Sequence, residues 1–189
     1  MGMPQLVPRY TVDDLQHFPE DGNRYELLDG MLLVTPQAAF PHQIVATRLA
    51  VRLANAVGIP GHAHVVGPGA VQRPPFTELQ PDVLVLSKEY PPMTKWAKIK
   101  EFWLAIEVLS PSSRVYDRDF KRDAYLALGV REVWIVDWRE RVVEVTRTRG
   151  HFRRARGEIR WRPPGLAPVT ISLDEVFQDL TDTVYEDDE

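Results

Sequence analysis

The chain has 189 residues, 44% hydrophobic and 26% charged, with a net charge of −4, which suits one globular domain with a sizeable core. It has no cysteine, so disulfides and cysteine-ligated zinc are excluded. No apolar run reaches the roughly 18 to 20 residues of a membrane helix and no leader pattern opens the chain, so the expectation is a cytoplasmic protein with no membrane association.

In chain order, residues 1–10 read as irregular. Thr11, with Asp14 three residues on, reads as an N-cap opening a short helix through Phe18. In 24–34, Asp29-Gly30 between two apolar runs predicts a β-hairpin. Pro41 starts a helix to about Val57, closed by Gly58 and Pro60, with His42, Val45, Leu49 and Leu53 on one stripe. Residues 62–72, broken by Gly67-Pro68-Gly69, predict one or two short strands. Residues 81–87 and 102–109 are nearly pure apolar runs and read as strands buried on both faces. The connector 88–100 carries at most one helical turn, around Trp96. A turn at 110–113 leads into a helix over 117–129 and a strand over 130–137. Residues 141–148 and 151–156 pair across Gly150, and a last strand and short helix occupy 169–180. The expectation is a single α/β (α+β) domain over 11–180, a central mixed sheet flanked by helices, with an acidic tail over 181–189.

Two acids stand out against this pattern. Glu107 lies inside a buried run, where an ionised carboxylate needs a cation or a metal. Asp82 opens the preceding run. If the two strands are antiparallel neighbours, the start of one meets the end of the other and the acids come together. A divalent cation that prefers oxygen is the simplest resolution of their repulsion. On the following helix Asp117, Lys121, Tyr125 and Leu128 share a stripe, which brings Lys121 toward the exit of the Glu107 strand.

Pro81-Asp82, Glu107-Val108-Leu109-Ser110-Pro111-Ser112, the helix with Asp117, Lys121 and Tyr125, Gly129-Val130 and Trp134-Ile135-Val136-Asp137 together resemble the Uma family of restriction-endonuclease-like nucleases, in the PD-(D/E)xK superfamily. Tyr25-Glu26-Leu27-Leu28-Asp29-Gly30 and Pro41-His42 fit the same pattern, so the resemblance spans about residues 11 to 180. It implies a restriction-endonuclease-like fold and a DNA endonuclease dependent on Mg2+ or Mn2+, without an organic cofactor. Asp82 and Glu107 would ligate the metal with the main-chain carbonyl of Val108, and Glu26 would approach from the hairpin. Lys121 would take the role of the superfamily lysine, because the position two after the glutamate is Leu109. His42, Tyr125 and Asp117 would support the site. A homodimer would suit double-strand cutting.

Each residue also has a plainer reading. Glu107 could be a buried acid neutralised by Lys121 or Arg122, and Asp82 a turn cap after Pro81. Glu26 could be an exposed hairpin residue, and Lys121 a surface partner of Asp117. His42 could be a packed histidine, Asp137 an acceptor of turn amides, and the tryptophans packing residues. His62 and His64 lack a third metal ligand nearby in sequence. Nine arginines between Arg139 and Arg162, Arg139 and Arg141 among them, face three glutamates; with Arg122 they form either a phosphate-contacting surface or a solvated hairpin. Two classes of function stay open: a metal-dependent nuclease, and a nuclease fold without chemistry that binds DNA or oligomerises. A two-carboxylate glycosidase ranks below both, since nothing around the acids suggests a sugar cleft.

Overall fold

The computed structural model describes residues 9–110 and 120–180. Asp117 and the 181–189 tail therefore lie outside the described residues. The N-terminal segment makes a single 3-10 turn, Asp14–His17, where a short helix is expected. The reciprocal Thr11–Asp14 bonds are present, with Thr11 N–H donating to Asp14 Oδ2 at 2.7 Å.

Strands β1 (Arg24–Leu28) and β2 (Met31–Thr35) form the hairpin. Its turn residues Asp29 and Gly30 both take positive φ, 51° and 83°, as a two-residue hairpin loop requires. Helix α1 (Phe40–Leu53) follows, with Pro41 in its first turn and His42, Val45, Ala46, Leu49 and Leu53 buried. Next come β3 (Ala63–Val66), β4 (Val71–Arg73), β5 (Thr77–Leu79), β6 (Val83–Ser87) and β7 (Phe102–Val108). Helix α2 (Arg122–Ala127) leads to β8 (Val133–Asp137) and the hairpin β9 (Val142–Thr148) and β10 (His151–Ala155). Strands β11 (Glu158–Trp161) and β12 (Val169–Ser172) and the short α3 (Leu173–Val176) complete the described fold.

Six strands form a mixed sheet in the order β10-β9-β8-β7-β6-β3, in which β7 and β8 run parallel and every other pair is antiparallel. A four-stranded antiparallel sheet has the order β2-β1-β5-β4, and β11 pairs with β12. One face of the large sheet, through Val83, Val85, Ile106, Trp134 and Val136, packs on α1, α3 and the β11–β12 pair. The other face, through Leu84, Leu86, Ala105 and Ile135, packs on the four-stranded sheet and on Tyr125 of α2. Strands β6 and β7 are thus covered on both sides and every residue in them is buried, which is why they read as unbroken apolar runs.

Three departures from the sequence pattern have physical reasons. Residues 62–72 do form two strands, but Gly67-Pro68-Gly69 hands the chain from one sheet to the other, so β3 and β4 are not partners. Strand β5 is three residues long, too short for a visible period. The last helix is a single turn: the Phe177 N–H still bonds the Leu173 carbonyl, but beyond it the Leu180 N–H turns to the Phe177 carbonyl in a 3-10-type bond rather than continuing the helix.

Gly67 places its backbone against the start of β6. A Cβ built there would lie 2.6 Å from the carbonyl oxygen of Asp82, a contact only backbone movement can relieve. Gly67→Ala should therefore lower the free energy of unfolding by about 1–3 kcal/mol, read by urea denaturation. A change within error would show that the β6 entrance is soft.

Candidate active site

The site lies where the chain crosses from the four-stranded sheet into the six-stranded one. Antiparallel pairing sets Val83 opposite Ile106, so Asp82, one residue before β6, lies beside Glu107 near the end of β7. The side chains at 84, 86, 105 and 107 share one face, the face that meets the small sheet and α2. Strand β1 of the small sheet supplies Glu26. Gln80, between β5 and β6, stitches the two sheets: its N–H donates to Glu26 Oε1 at 2.7 Å.

Three carboxylates therefore converge. Glu26 and Glu107 are fully buried, and Asp82 has 7% of its side chain exposed. Two cations balance them. Lys121, 1% exposed at the start of α2, sets its Nζ 2.7 Å from Glu26 Oε2 and 3.4 Å from Glu107 Oε1. Arg24 turns a different nitrogen to each acid: Nη1 donates to Asp82 Oδ1 at 2.8 Å, Nε lies 3.7 Å from Glu26 Oε2, and Nη2 lies 4.0 Å from Glu107 Oε2. Its Nη1 also donates to the Gln80 carbonyl at 3.0 Å.

Neutral donors fix the acids further. The Tyr125 hydroxyl donates to Glu107 Oε1 at 2.5 Å. The Val108 N–H donates to Asp82 Oδ2 at 2.8 Å, and His42 Nε2 lies 3.1 Å from the same oxygen. His42 Nδ1 is buried with no hydrogen-bond partner among the described residues.

The ionisation states follow from these contacts. Burial alone opposes ionisation of Asp82, but the hydrogen bond from His42, the charge of Arg24 and the Val108 amide outweigh it and bring its pKa down to about 2. Burial also opposes the charge on Arg24, and the charges of Glu107, Asp82 and Glu26 overcome it, so the guanidinium is held more firmly protonated than usual. Burial first, then the charges of Glu107 and Glu26, push the Tyr125 hydroxyl well above its ordinary value, so it remains a donor.

On one side the cluster opens onto a cleft of roughly 410 Å³, lined by Arg24, Thr35, His42, Asp82, Val108 and Ser110 among others. Among the described residues, no group of three or more His, Cys, Asp or Glu side chains stands arranged to hold a metal ion. The acids do converge, but with Arg24 and Lys121 set among them.

Glu26, Asp82, Glu107, Lys121, Tyr125, His42 and Val108 are thus gathered at one place. Glu26 is not an exposed hairpin residue, and Lys121 is not on the surface. Arg122, Arg139 and Arg141 do not line the cleft. Arg122 pairs with Asp123, Arg139 covers the Trp138 ring, and Arg141 donates to the Phe177 carbonyl at 2.8 Å. Asp137 accepts the Glu140 amide, and His64 Nε2 bonds the Tyr90 carbonyl. Trp134 and Trp161 are core residues. Sequence reasoning missed Arg24, although the signal was there: it stands two residues before Glu26 on one strand and so shares its face.

The fold has a solved counterpart. A crystal structure from Anabaena variabilis, of a protein described as a "putative nuclease belonging to DUF820", is similar with a TM-score of 0.71, at 18% identity, over 88% of this chain and 97% of that one. The Uma2 family pattern, described as "Putative restriction endonuclease", matches residues 12–184, and the chain belongs to that family. None of the curated proteins matches the sequence.

Two outcomes are expected from the ion-pair geometry. Lys121→Met leaves Glu26 and Glu107 buried without their ammonium partner and should cost about 3–5 kcal/mol of stability, whereas Tyr125→Phe, which loses one hydrogen bond, should cost about 1–3 kcal/mol. Urea denaturation in EDTA measures both, and equal costs would contradict the ion-pair assignment. The second outcome concerns acid. Folded Asp82 gives up its proton more readily than the unfolded chain does, so its contribution is complete above about pH 5 and fades as pH falls toward 2. Between pH 5 and pH 3 the wild type should lose about 1 kcal/mol more than Asp82→Asn.

Proposed function

We propose that the protein is a divalent-metal-dependent endonuclease that hydrolyses phosphodiester bonds of DNA. The observation that carries this reading is the meeting of Asp82, which lines an open cleft, with the buried Glu107 and Glu26 just beneath it and Lys121 among them. Membership of a restriction-endonuclease family supports it.

The donor set suits a hard cation. Carboxylate oxygens and a nearby main chain are what Mg2+ or Mn2+ prefers, and neither sulfur nor an imidazole trio is present. Asp82 and Glu107 would hold the ion, with the Val108 carbonyl and Glu26 as further oxygens. Bound there, it would supply an acidified water and neutralise charge gathering on the phosphate.

The chain's own groups do the rest. The Val108 amide and His42 fix the rotamer of Asp82. Tyr125 fixes Glu107. Lys121, buried and held by two acids, would supply a positive donor to the attacking water or the phosphate's non-bridging oxygens once those ion pairs loosen. The reaction consumes one water and one phosphodiester and leaves a phosphomonoester and a hydroxyl.

A second reading is favoured by the same ion pairs: a nuclease fold that binds DNA or assembles without turnover, its acids spent on Arg24 and Lys121. On that reading binding is salt-sensitive and metal is irrelevant.

A cleavage assay with metal titration separates them. With Mg2+ or Mn2+ the wild type should nick or linearise plasmid DNA, and its melting temperature should rise as a ligand of the folded state requires, by about 2.7 kcal/mol of added stability at a hundredfold excess over Kd. Asp82→Ala and Glu107→Ala should lose both effects. Equal cation shifts in wild type and Asp82→Ala would rule out the site. DNA binding without cleavage at any metal concentration would favour the second reading.

A further inference from the structure

The position of Arg24 bears directly on that site. A cation shared by Asp82 and Glu107 has to stand about 2.0–2.1 Å from their oxygens if it is Mg2+. The Arg24 guanidinium already occupies the approach, with Nη1 at 2.8 Å from Asp82 Oδ1 and Nη2 at 4.0 Å from Glu107 Oε2. Nε, facing Glu26 at 3.7 Å, completes a hub with one nitrogen toward each acid. A divalent ion and a guanidinium cannot share that seat, since two like charges a few ångströms apart in a shielded pocket repel by several kcal/mol.

Lys121 presents no such obstacle. It is 1% exposed and binds Glu107 Oε1 and Glu26 Oε2, the second shared with Arg24 Nε, and it leaves Asp82 Oδ1 and Glu107 Oε2 to Arg24. Arg24, by contrast, keeps 22% of its side chain exposed and itself lines the cleft. It has room to leave, and its departure frees Asp82 Oδ1 and removes the guanidinium from beside Glu107 Oε2.

We infer that Arg24 is the built-in competitor of the catalytic metal: its guanidinium holds the Asp82–Glu107 seat in the metal-free protein, and metal enters by exchange with it. The inference rests on Asp82 and Glu107 being the divalent-cation ligands. It makes metal affinity deliberately modest, and it spares the free protein two unneutralised acids in its core. The guanidinium, once released, stands at the mouth of the cleft where phosphate oxygens arrive, the anion it is shaped to bind.

The test is calorimetric titration of the full chain with Mn2+ at pH 7 in metal-free buffer, for wild type, Arg24→Gln, Asp82→Asn and the double variant. Arg24→Gln should bind Mn2+ at least about tenfold more tightly than wild type, the scale of a typical coupling between two ligands of one site. Asp82→Asn should abolish binding in both backgrounds. Equal or weaker binding by Arg24→Gln overturns the exchange; if Asp82→Asn still removes the wild-type signal, the nuclease reading survives. No Mn2+ binding in any variant overturns both. Should Arg24→Gln fail to fold, manganese-soaked crystals of the wild type decide. An anomalous peak on Asp82 and Glu107 with Arg24 turned away supports the exchange. A peak with Nη1 still on Asp82, or no peak, overturns it.

Discussion

Three carboxylates enclosed at the joint of two sheets repel one another strongly, and an uncompensated buried charge costs several kcal/mol. The protein meets this with cations drawn from separate parts of the chain: Arg24 from the first hairpin and Lys121 from the start of α2. Because each cation touches acids from different elements, the electrostatic requirement is also a topological one. Lys121 joins β1 to β7, and Arg24 joins β1, β6 and β7. The Gln80 amide and carbonyl fasten the same place through the main chain. Apolar packing explains why the large sheet forms; the ion cluster explains why the small sheet docks on it at this register.

This also accounts for what was legible in the sequence. Glu107 was conspicuous because it interrupts a run that is buried on both faces, and Asp82 because it stands at the mouth of the neighbouring run. Antiparallel pairing then brings the two together with no further assumption. Lys121 was legible from the helical stripe it shares with Tyr125. Glu26 was ambiguous, since a hairpin strand has one wet face, and only the docking of the small sheet decides that position 26 is enclosed. Arg24 was passed over for the same reason: although it shares a face with Glu26, an arginine on a hairpin strand looks like surface until its partners arrive from the start of β6 and from β7. Strands β5 and β11 were missed as well. Both are held by partners rather than by their own pattern, β5 between β1 and β4, and β11 by β12 across the loop of residues 162–168.

The basic stretch after Arg139 is plain in the sequence, and several of its exposed arginines are turned to partners within the protein. Arg154 pairs with Glu144 and Arg147 with Glu132, and both glutamates are buried. Arg156 donates to the Glu140 carbonyl, and Arg141 to that of Phe177. Such arginines seal strand ends and cover aromatic rings as much as they project charge. An attraction for phosphate is therefore better argued from the cleft, where Arg24 is half-buried and close to the acids, than from the density of arginine along the chain.

Leu109 stands where the resemblance leads one to expect a lysine. Positions 107 and 109 point to the same face of β7, and Leu109 is packed among Tyr125, Ile135 and their neighbours. A lysine there would have to bury its stem in that cluster to bring its charge beside Glu107. Lys121 reaches Glu107 and Glu26 from the facing helix instead, so the strand keeps an unbroken apolar edge and the ammonium group still arrives within 3.4 Å. The arrangement has a cost that follows from the same contacts. On the proposed nuclease reading, groups that neutralise one another in the resting protein would have to exchange partners before acting on a phosphate, so stability and activity would draw on the same few side chains. On that reading the balance between them would be set less by the acids, which both roles need, than by Arg24, the more exposed of the two cations.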